Sequence, residues 1–298
     1  METGLTLRMK VRWVEPESVW FLQLGGRVPL VFAGGGTVLI DRNVVGAVVA
    51  LSRDPERQDF KAERWWLRPL DSEHFLLNPI LYAMEGNARR TPTFDEFCAG
   101  LHSSRELLRR GFPKARILEH PASGLHAVYQ FLRSFAERRA AEQAFLLKVA
   151  PMLADRVRIS SRRAAEDRIL AEARSAGLLS RSLLVLCALS CLYERADGAE
   201  PMIGRGVLNP TATYTEADAY NAIADVQCLE LLSSAAAREE ESFGLVTRDR
   251  YLAALWCALG VSAPSKGEDG WTITLAPGSD LFPSLHEAQV AELLGRMH

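Results

Sequence analysis

Two segments of the chain share one design, in which an apolar run ends in an aspartate and gives way at once to a helical pattern. They are Val38-Leu-Ile-Asp-Arg-Asn43 and Leu245-Val-Thr-Arg-Asp-Arg250. In an open parallel sheet the carboxyl ends of the strands form the ligand crevice, so the Asp41 and Asp249 carboxylates are expected to meet there. A third acid comes from Thr215–Leu232, a helical stretch that opens on a threonine cap. There Asp218, Asn221 and Asp225 fall on one face. A fourth is Glu85, in Leu81-Tyr-Ala-Met-Glu-Gly-Asn87, with Glu194 in Leu192-Tyr-Glu-Arg195 as its rival. Carboxylates that converge repel one another unless a cation neutralises them. Mg²⁺ or Mn²⁺ suits such a set, because both are hard ions that prefer oxygen ligands. Two such ions about 3.5–4 Å apart hold a phosphodiester, activate water and stabilise the leaving oxygen.

Bland roles compete with this chemistry. An aspartate just beyond a strand commonly caps the next helix, and Asp218 suits the positive end of its helix dipole. Other chemistries find less support. Gly34-Gly-Gly36 precedes its strand and no Gly-Lys-Ser/Thr follows, so it reads as a tight loop. The histidines lack paired-ligand spacing, and no Gly-x-Ser-x-Gly elbow is present. An aspartyl-phosphate phosphatase usually has an aspartate two residues after its nucleophile, where this chain has Asn43.

The elements that must position these acids follow from periodicity. Alternation predicts a half-buried strand over Leu5–Trp13, and short strands follow at Val19–Leu24, Val28–Phe32 and Thr37–Ile40. Val44–Leu51 reads as a helix, as do Leu76–Ala88 and Thr93–Leu108, the last with a Thr93/Glu96 capping box. Helical spacing runs through Leu125–Leu153 and about 160–175, whereas 182–193 is apolar throughout and its period does not separate strand from helix. Phe243–Thr247 is a strand followed by a helix over Tyr251–Leu259, and Trp271–Leu275 is a last strand candidate. The expected fold is α/β: a mostly parallel twisted sheet with flanking helices, N-terminal strand additions and a helical insertion over about 95–200.

At 298 residues with 48% hydrophobic and 24% charged, the chain has globular composition. Ser182–Leu192 is about half the ~20 residues a membrane span requires, and no signal peptide is evident, so a cytoplasmic protein is expected. Five scattered cysteines argue against a disulfide framework or zinc site, and Cys187 and Cys191 read as buried structural residues. The net charge of −2 is unevenly spread, with residues 101–175 holding 15 Lys+Arg against 8 Asp+Glu. Arg162 and Arg163 in that region, and Arg42, Arg248 and Arg250 beside the acids, are candidates for phosphate contacts. Acids interleaved among the first group allow a solvated, self-paired face equally well.

Ile40-Asp-Arg-Asn43, Asn221-Ala-Ile-Ala-Asp225 and Val246-Thr-Arg-Asp249 resemble the acidic motifs of PIN-domain ribonucleases, and the resemblance covers about half the chain. It implies one discontinuous domain that cuts single-stranded or structured RNA, transfer RNA included, with Mg²⁺ or Mn²⁺. Asp41, Asp225 and Asp249 match the first, third and fourth acids, Glu85 takes the second place, and Asn43, Asn221 and Thr247 are supporting polar residues. A family rich in toxins also implies a toxin or defence effector with an antitoxin or immunity protein as partner. The alternative is a catalytically incomplete scaffold that binds RNA or a protein.

Overall fold

The computed structural model describes residues 13–86, 88–179, 182–195, 202–236, 242–262, 265–267, 270–272 and 274–297. The alternating stretch before Trp13 lies outside them. The described strands are β1 (Trp20–Gln23), β2 (Gly26–Val28), β3 (Gly36–Ile40), β4 (Phe75–Asn78), β5 (Arg116–Ile117) and β6 (Phe243–Thr247), with a separate hairpin of β7 (Ser265–Gly267) and β8 (Gly270–Thr272). The helices are α1 (Arg42–Arg53), α2 (Lys61–Leu67), α3 (Ile80–Glu85), α4 (Phe94–Gly111), α5 (Ala122–Val149), α6 (Arg162–Ser175), α7 (Leu183–Leu192), α8 (Ile203–Leu208), α9 (Glu216–Ala236), α10 (Arg250–Ala258) and α11 (Glu287–Arg296). The chain is therefore α/β, and among the described residues its main sheet has six strands in the order β2-β1-β6-β3-β4-β5. The β5-β4-β3-β6 core is parallel, whereas β1 runs antiparallel to both β6 and β2.

Strand alternation divides the sheet between two apolar layers. Phe21, Val38, Ile40 and Val246 pack on the α1–α2 side, and Leu22, Leu39 and Leu245 join the larger cluster formed by the other helices. Both faces are covered, so the central strands read as unbroken apolar runs. The same alternation carries Asp41 and Thr247, one residue beyond Ile40 and Val246, toward the side on which α9 lies. Gly36 opens β3 at φ +114, where a β-carbon would collide with the Ser242 carbonyl, while its neighbour Thr37 donates its N–H to that carbonyl at 3.1 Å. Gly35 likewise brings the backbone close to the His74 carbonyl, so two of the three glycines serve close approaches beside β4 and β6.

The structure corrects several sequence expectations. The stretch Val28–Phe32 is a strand only to Val28; Pro29 cannot extend the hydrogen-bond ladder, and a 3₁₀ turn over Leu30–Phe32 follows. Leu76–Ala88 is no single helix but β4, Pro79 and α3, because a short apolar run fits a covered parallel strand as well as a helix. The stretch 182–193 is α7, buried at every position and capped by Ser182, whose Oγ accepts the Val185 N–H at 3.3 Å. The 95–200 stretch is interrupted by β5, which pairs with β4, so a continuous helical layer begins only at α5. The final strand, β8, belongs to the small hairpin and not to the main sheet. The Thr93/Glu96 capping box of α4 and the Thr215 cap of α9 are both present.

Candidate active site

Asp41 and Thr247 end adjacent parallel strands, and both are buried, at 6% and 0% exposure. The Thr247 hydroxyl accepts the Asp249 N–H at 3.0 Å and the Asn43 Nδ2–H at 3.3 Å. With both lone pairs used, its proton is directed to Asp41 Oδ2, 2.5 Å away. Asn43 Nδ2 donates to the same Oδ2 at 2.7 Å, and Asn43 Oδ1 accepts the Arg248 N–H at 2.9 Å. This network joins the two strand–aspartate–helix segments and fixes the Asp41 carboxylate. Asp41 occupies the N-cap position of α1 but its side chain makes no capping hydrogen bond there. Asp249 does cap: its Oδ1 accepts the N–H groups of Tyr251 at 2.7 Å and Leu252 at 3.0 Å.

Four carboxylates share one electrostatic neighbourhood. Burial raises Asp41 above the ordinary carboxylate range, hydrogen bonding from Thr247 and from the Arg42 and Asn43 N–H groups opposes that rise, and Asp249 adds to it. Asp225 is pushed well above that range by burial first, then by Asp41, Asp249 and Glu85. Glu85 is raised by burial, restrained by Arg42 and raised further by Asp41. Three of the acids follow parallel strands, Asp41 after β3, Glu85 at the end of α3 after β4, and Asp249 after β6, while Asp225 descends from α9. The rival Glu194 lies elsewhere: it is buried in ion pairs with Arg205 at 3.0 Å and Arg156 at 3.3 Å.

The carboxylates are not yet clenched around a common point. Among the described residues, no three His, Cys, Asp or Glu side chains stand close enough to hold an ion. The expectation that Asp41, Asp225 and Asp249 converge on one preformed metal position is corrected to that extent. Mutual repulsion works against closure, and hydrogen bonds already hold one oxygen each of Asp41 and Asp249. Four hard oxygen donors nonetheless suit Mg²⁺ or Mn²⁺ in chemical character.

Of the five candidate arginines, Arg42 reaches the acids. It stands 3.7 Å from Glu85, donates to the Gly86 carbonyl, and lies over the Tyr82 ring. Arg248 turns away to Glu63 at 2.6 Å and the Phe60 ring, and Arg250 bonds and stacks on Tyr251. Arg162 donates to Ser284 at 2.8 Å and to the Glu194 carbonyl, while Arg163 pairs with Glu166, Asp167 and Glu292. Asn221 is exposed on α9, and Asp218 is held below its usual range by Thr215, its partner in the first turn.

Sequence reasoning missed two neighbours of the acids. Cys228 stands one helical turn beyond Asp225, and its thiol is pushed well up by burial and by all four carboxylates. The i, i+3 spacing was the available signal, but the thiol is read as core in an apolar helix. The Tyr220 hydroxyl donates to the Glu85 carbonyl, holding the end of α3 against α9. No local pattern marks a contact between residues so far apart in the chain.

No family model matches the chain, and neither a curated protein nor a solved structure matches it. Among the described residues, no helix is long and apolar enough to cross a membrane.

Proposed function

We propose that this protein is a metal-dependent ribonuclease of PIN-like type. The observation that carries the reading is the half-buried Asp225 carboxyl, on which three other carboxylates bear from three separate parts of the fold. Such an accumulation of like charge costs stability in the free protein and gains a purpose only when a cation enters. The parallel core β5-β4-β3-β6, covered by helices on both faces, supports the PIN-like form, with acids at the carboxyl ends of its strands.

Asp41, Asp225 and Asp249 are the residues that would hold Mg²⁺ or Mn²⁺, with Glu85 as a further oxygen donor. Bound there, the ion supplies a lowered pKa for water and charge stabilisation for a phosphodiester. Thr247 and Asn43 hold Asp41 in one rotamer, which preserves the position of its remaining oxygen. Arg42 neutralises part of the acidic charge and is the one candidate arginine beside the acids that a scissile phosphate would approach. A toxin or defence effector restrained by an antitoxin or immunity protein is the cellular role consistent with this activity.

Purified protein incubated with transfer RNA and with single-stranded DNA, in Mg²⁺, Mn²⁺ or EDTA, tests the reading. Cleavage of RNA alone, and only with metal, is expected; cleavage that persists in EDTA overturns it. That no three His, Cys, Asp or Glu side chains among the described residues stand close enough to hold an ion favours a second reading, a PIN-like scaffold with an incomplete site that binds RNA or a protein. Binding of transfer RNA without cleavage in any metal selects that one.

A further inference from the structure

Beside the acids, α5, α9 and the 88–93 loop enclose a cavity of about 570 Å³, lined by Arg89, Arg90, Arg139, Gln143, Glu216 and Tyr220. The loop is held firmly. Arg90 makes a two-pronged pair with Glu96 at 2.5 and 2.8 Å, Glu96 closes the Thr93 capping box, and Tyr129 donates to the Pro92 carbonyl at 2.9 Å. Tyr220, in the cavity wall, donates its one hydroxyl proton to the Glu85 carbonyl, with the Arg90 carbonyl 3.3 Å from the same oxygen. The wall of the cavity is thus bonded directly to the residue that carries the Glu85 carboxylate.

Two guanidinium groups here are not neutralised. Arg139 stacks over the Tyr220 ring at 4.8 Å and donates to two uncharged partners, Thr91 Oγ1 at 3.2 Å and Gln227 Oε1 at 2.8 Å. Its Nε is buried without a hydrogen-bond partner. The acid that bears on it, Glu142, is paired to Arg138 at 2.6 Å. Arg89 is exposed and forms no hydrogen bond or ion pair among the described residues; the charge that acts on it across space is Asp218, itself bonded to Thr215. Arg89 also sits at φ +50, a conformation that non-glycine residues seldom adopt and that a rigid loop imposes. Glu216, exposed in the first turn of α9, is the one acid among the ten lining residues.

We propose that this cavity is a phosphate subsite for single-stranded nucleic acid, in which Arg89 and Arg139 hold a phosphate next to the one presented to the carboxylates. The inference rests on the nuclease reading for its direction. Its chemistry is that of planar guanidinium groups with open donors, which match phosphate oxygens, and of a cavity wide enough for a phosphate with its sugar. Arg90, already bound to Glu96, shapes the loop.

Fluorescence anisotropy of a short labelled single-stranded RNA, in Ca²⁺ and again in EDTA, tests the proposal on the wild type, Arg89→Gln and Arg139→Gln. Arg89→Gln removes an exposed side chain that forms no hydrogen bond or ion pair among the described residues; melting temperatures control for folding in both variants. Each variant is expected to weaken binding about tenfold, the loss of one hydrogen-bonded charge, and equally for any base sequence. Each should also flatten the dependence of log K on log salt by about 0.7. Unchanged affinity and salt slope in Arg89→Gln overturn the proposal, as does a wild type that binds no RNA in either buffer. A loss in the variants alongside a wild type that cleaves nothing keeps the subsite and removes the nuclease reading.

Discussion

The segments β3–Asp41–α1 and β6–Asp249–α10 begin from nearly the same local sequence and put their aspartates to different use. Both aspartates stand at the N-cap of a helix. Asp249 accepts two backbone N–H groups of its own helix, as an ordinary cap does. Asp41 leaves the first turn of α1 without a side-chain cap and takes its hydrogen bonds from Thr247 and Asn43. Thr247 belongs to the other segment, so Asp41 is anchored across the sheet and Asp249 along its own chain. A carboxylate that is buried at a cost to its charged form, and takes its side-chain donors from Thr247 and Asn43, is shaped by more than helix stability. Position next to a helix therefore does not settle an aspartate's role; the identity of its donors does.

The largest expected effect tests whether both segments serve one site. Asp41→Asn and Asp249→Asn should each lower metal-dependent RNA cleavage by orders of magnitude, because each removes a charge that supports the metal and the developing phosphorane. A steady-state cleavage assay decides it. If only Asp41→Asn loses activity, Asp249 is a cap alone and the comparison becomes a contrast between a site residue and a structural one.

Next in size is Thr247→Val, which keeps shape and deletes the hydroxyl that links the segments. Asp41 loses its short donor, and the Asp249 N–H and one Asn43 proton lose their acceptor. Hydrogen bonds to charged groups contribute about 1.5–3 kcal/mol, so chemical denaturation should show a loss of about 2 kcal/mol. Loss of cleavage should accompany it. A variant as stable and active as the wild type would show that the bridge between the segments is incidental.

How far the sequence revealed this arrangement follows from the range over which its signals act. An apolar run broken by an acid marks Asp41 and Asp249 locally, because the strand must be dry and its end must meet the crevice. Helical spacing puts Asp218, Asn221 and Asp225 on one face, but of the three it is Asp225 that stands with the other acids, while Asp218 bonds to Thr215 and Asn221 is exposed. Glu85 and Glu194 could not be separated, since each follows an apolar stretch; only tertiary packing puts one beside Asp41 and the other between Arg205 and Arg156. Periodicity failed at 75–85, where β4 and α3 meet at Pro79, because a parallel strand covered on both faces loses its alternation. The arginines misled because charge in sequence shows neither direction nor partner: Arg248 and Arg162 turn to intramolecular acceptors, while Arg139 was not marked at all.

A smaller effect sharpens the electrostatic side of the comparison. Asp41, Glu85 and Asp225 are all held above the ordinary carboxylate range. Between that range and their raised values the folded protein binds more protons than the unfolded chain, so stability in EDTA rises as pH falls through the raised values. The gain is complete below roughly pH 4, the unfolded value, and is lost as pH rises. Carboxylates such as Glu96, lowered to about 2 by Arg90 and the Thr93 N–H, act in the opposite sense. The readout is therefore the difference in melting temperature between the wild type and Asp225→Asn, which should narrow as pH is lowered from neutral. Mn²⁺ should stabilise the wild type more at neutral than at acid pH, since its ligands must be ionised. A difference between the two proteins that is flat with pH removes the acidic cluster from the account.

The smallest effect isolates the cap from the charge. Asp249→Asn keeps an oxygen that caps nearly as well as aspartate, whereas Asp249→Ala removes the acceptor of the Tyr251 and Leu252 N–H groups. In EDTA the alanine variant should lose about 1 kcal/mol, a shift of about 2–4 °C in a chain of this size. The asparagine variant should match the wild type or exceed it, because the repulsion that Asp249 exerts on Asp41 and Asp225 is relieved. At Asp41 the same pair should behave differently. The Arg42 and Asn43 N–H groups bear on the Asp41 carboxylate less than the Thr247 hydroxyl does, so Asp41→Ala should owe most of its cost to the abandoned donors of Thr247 and Asn43, and Asp41→Asn should fall between it and the wild type. Equal penalties for alanine at the two positions, each rescued alike by asparagine, would mean that both aspartates are caps and that the donors seen at Asp41 carry no separate role.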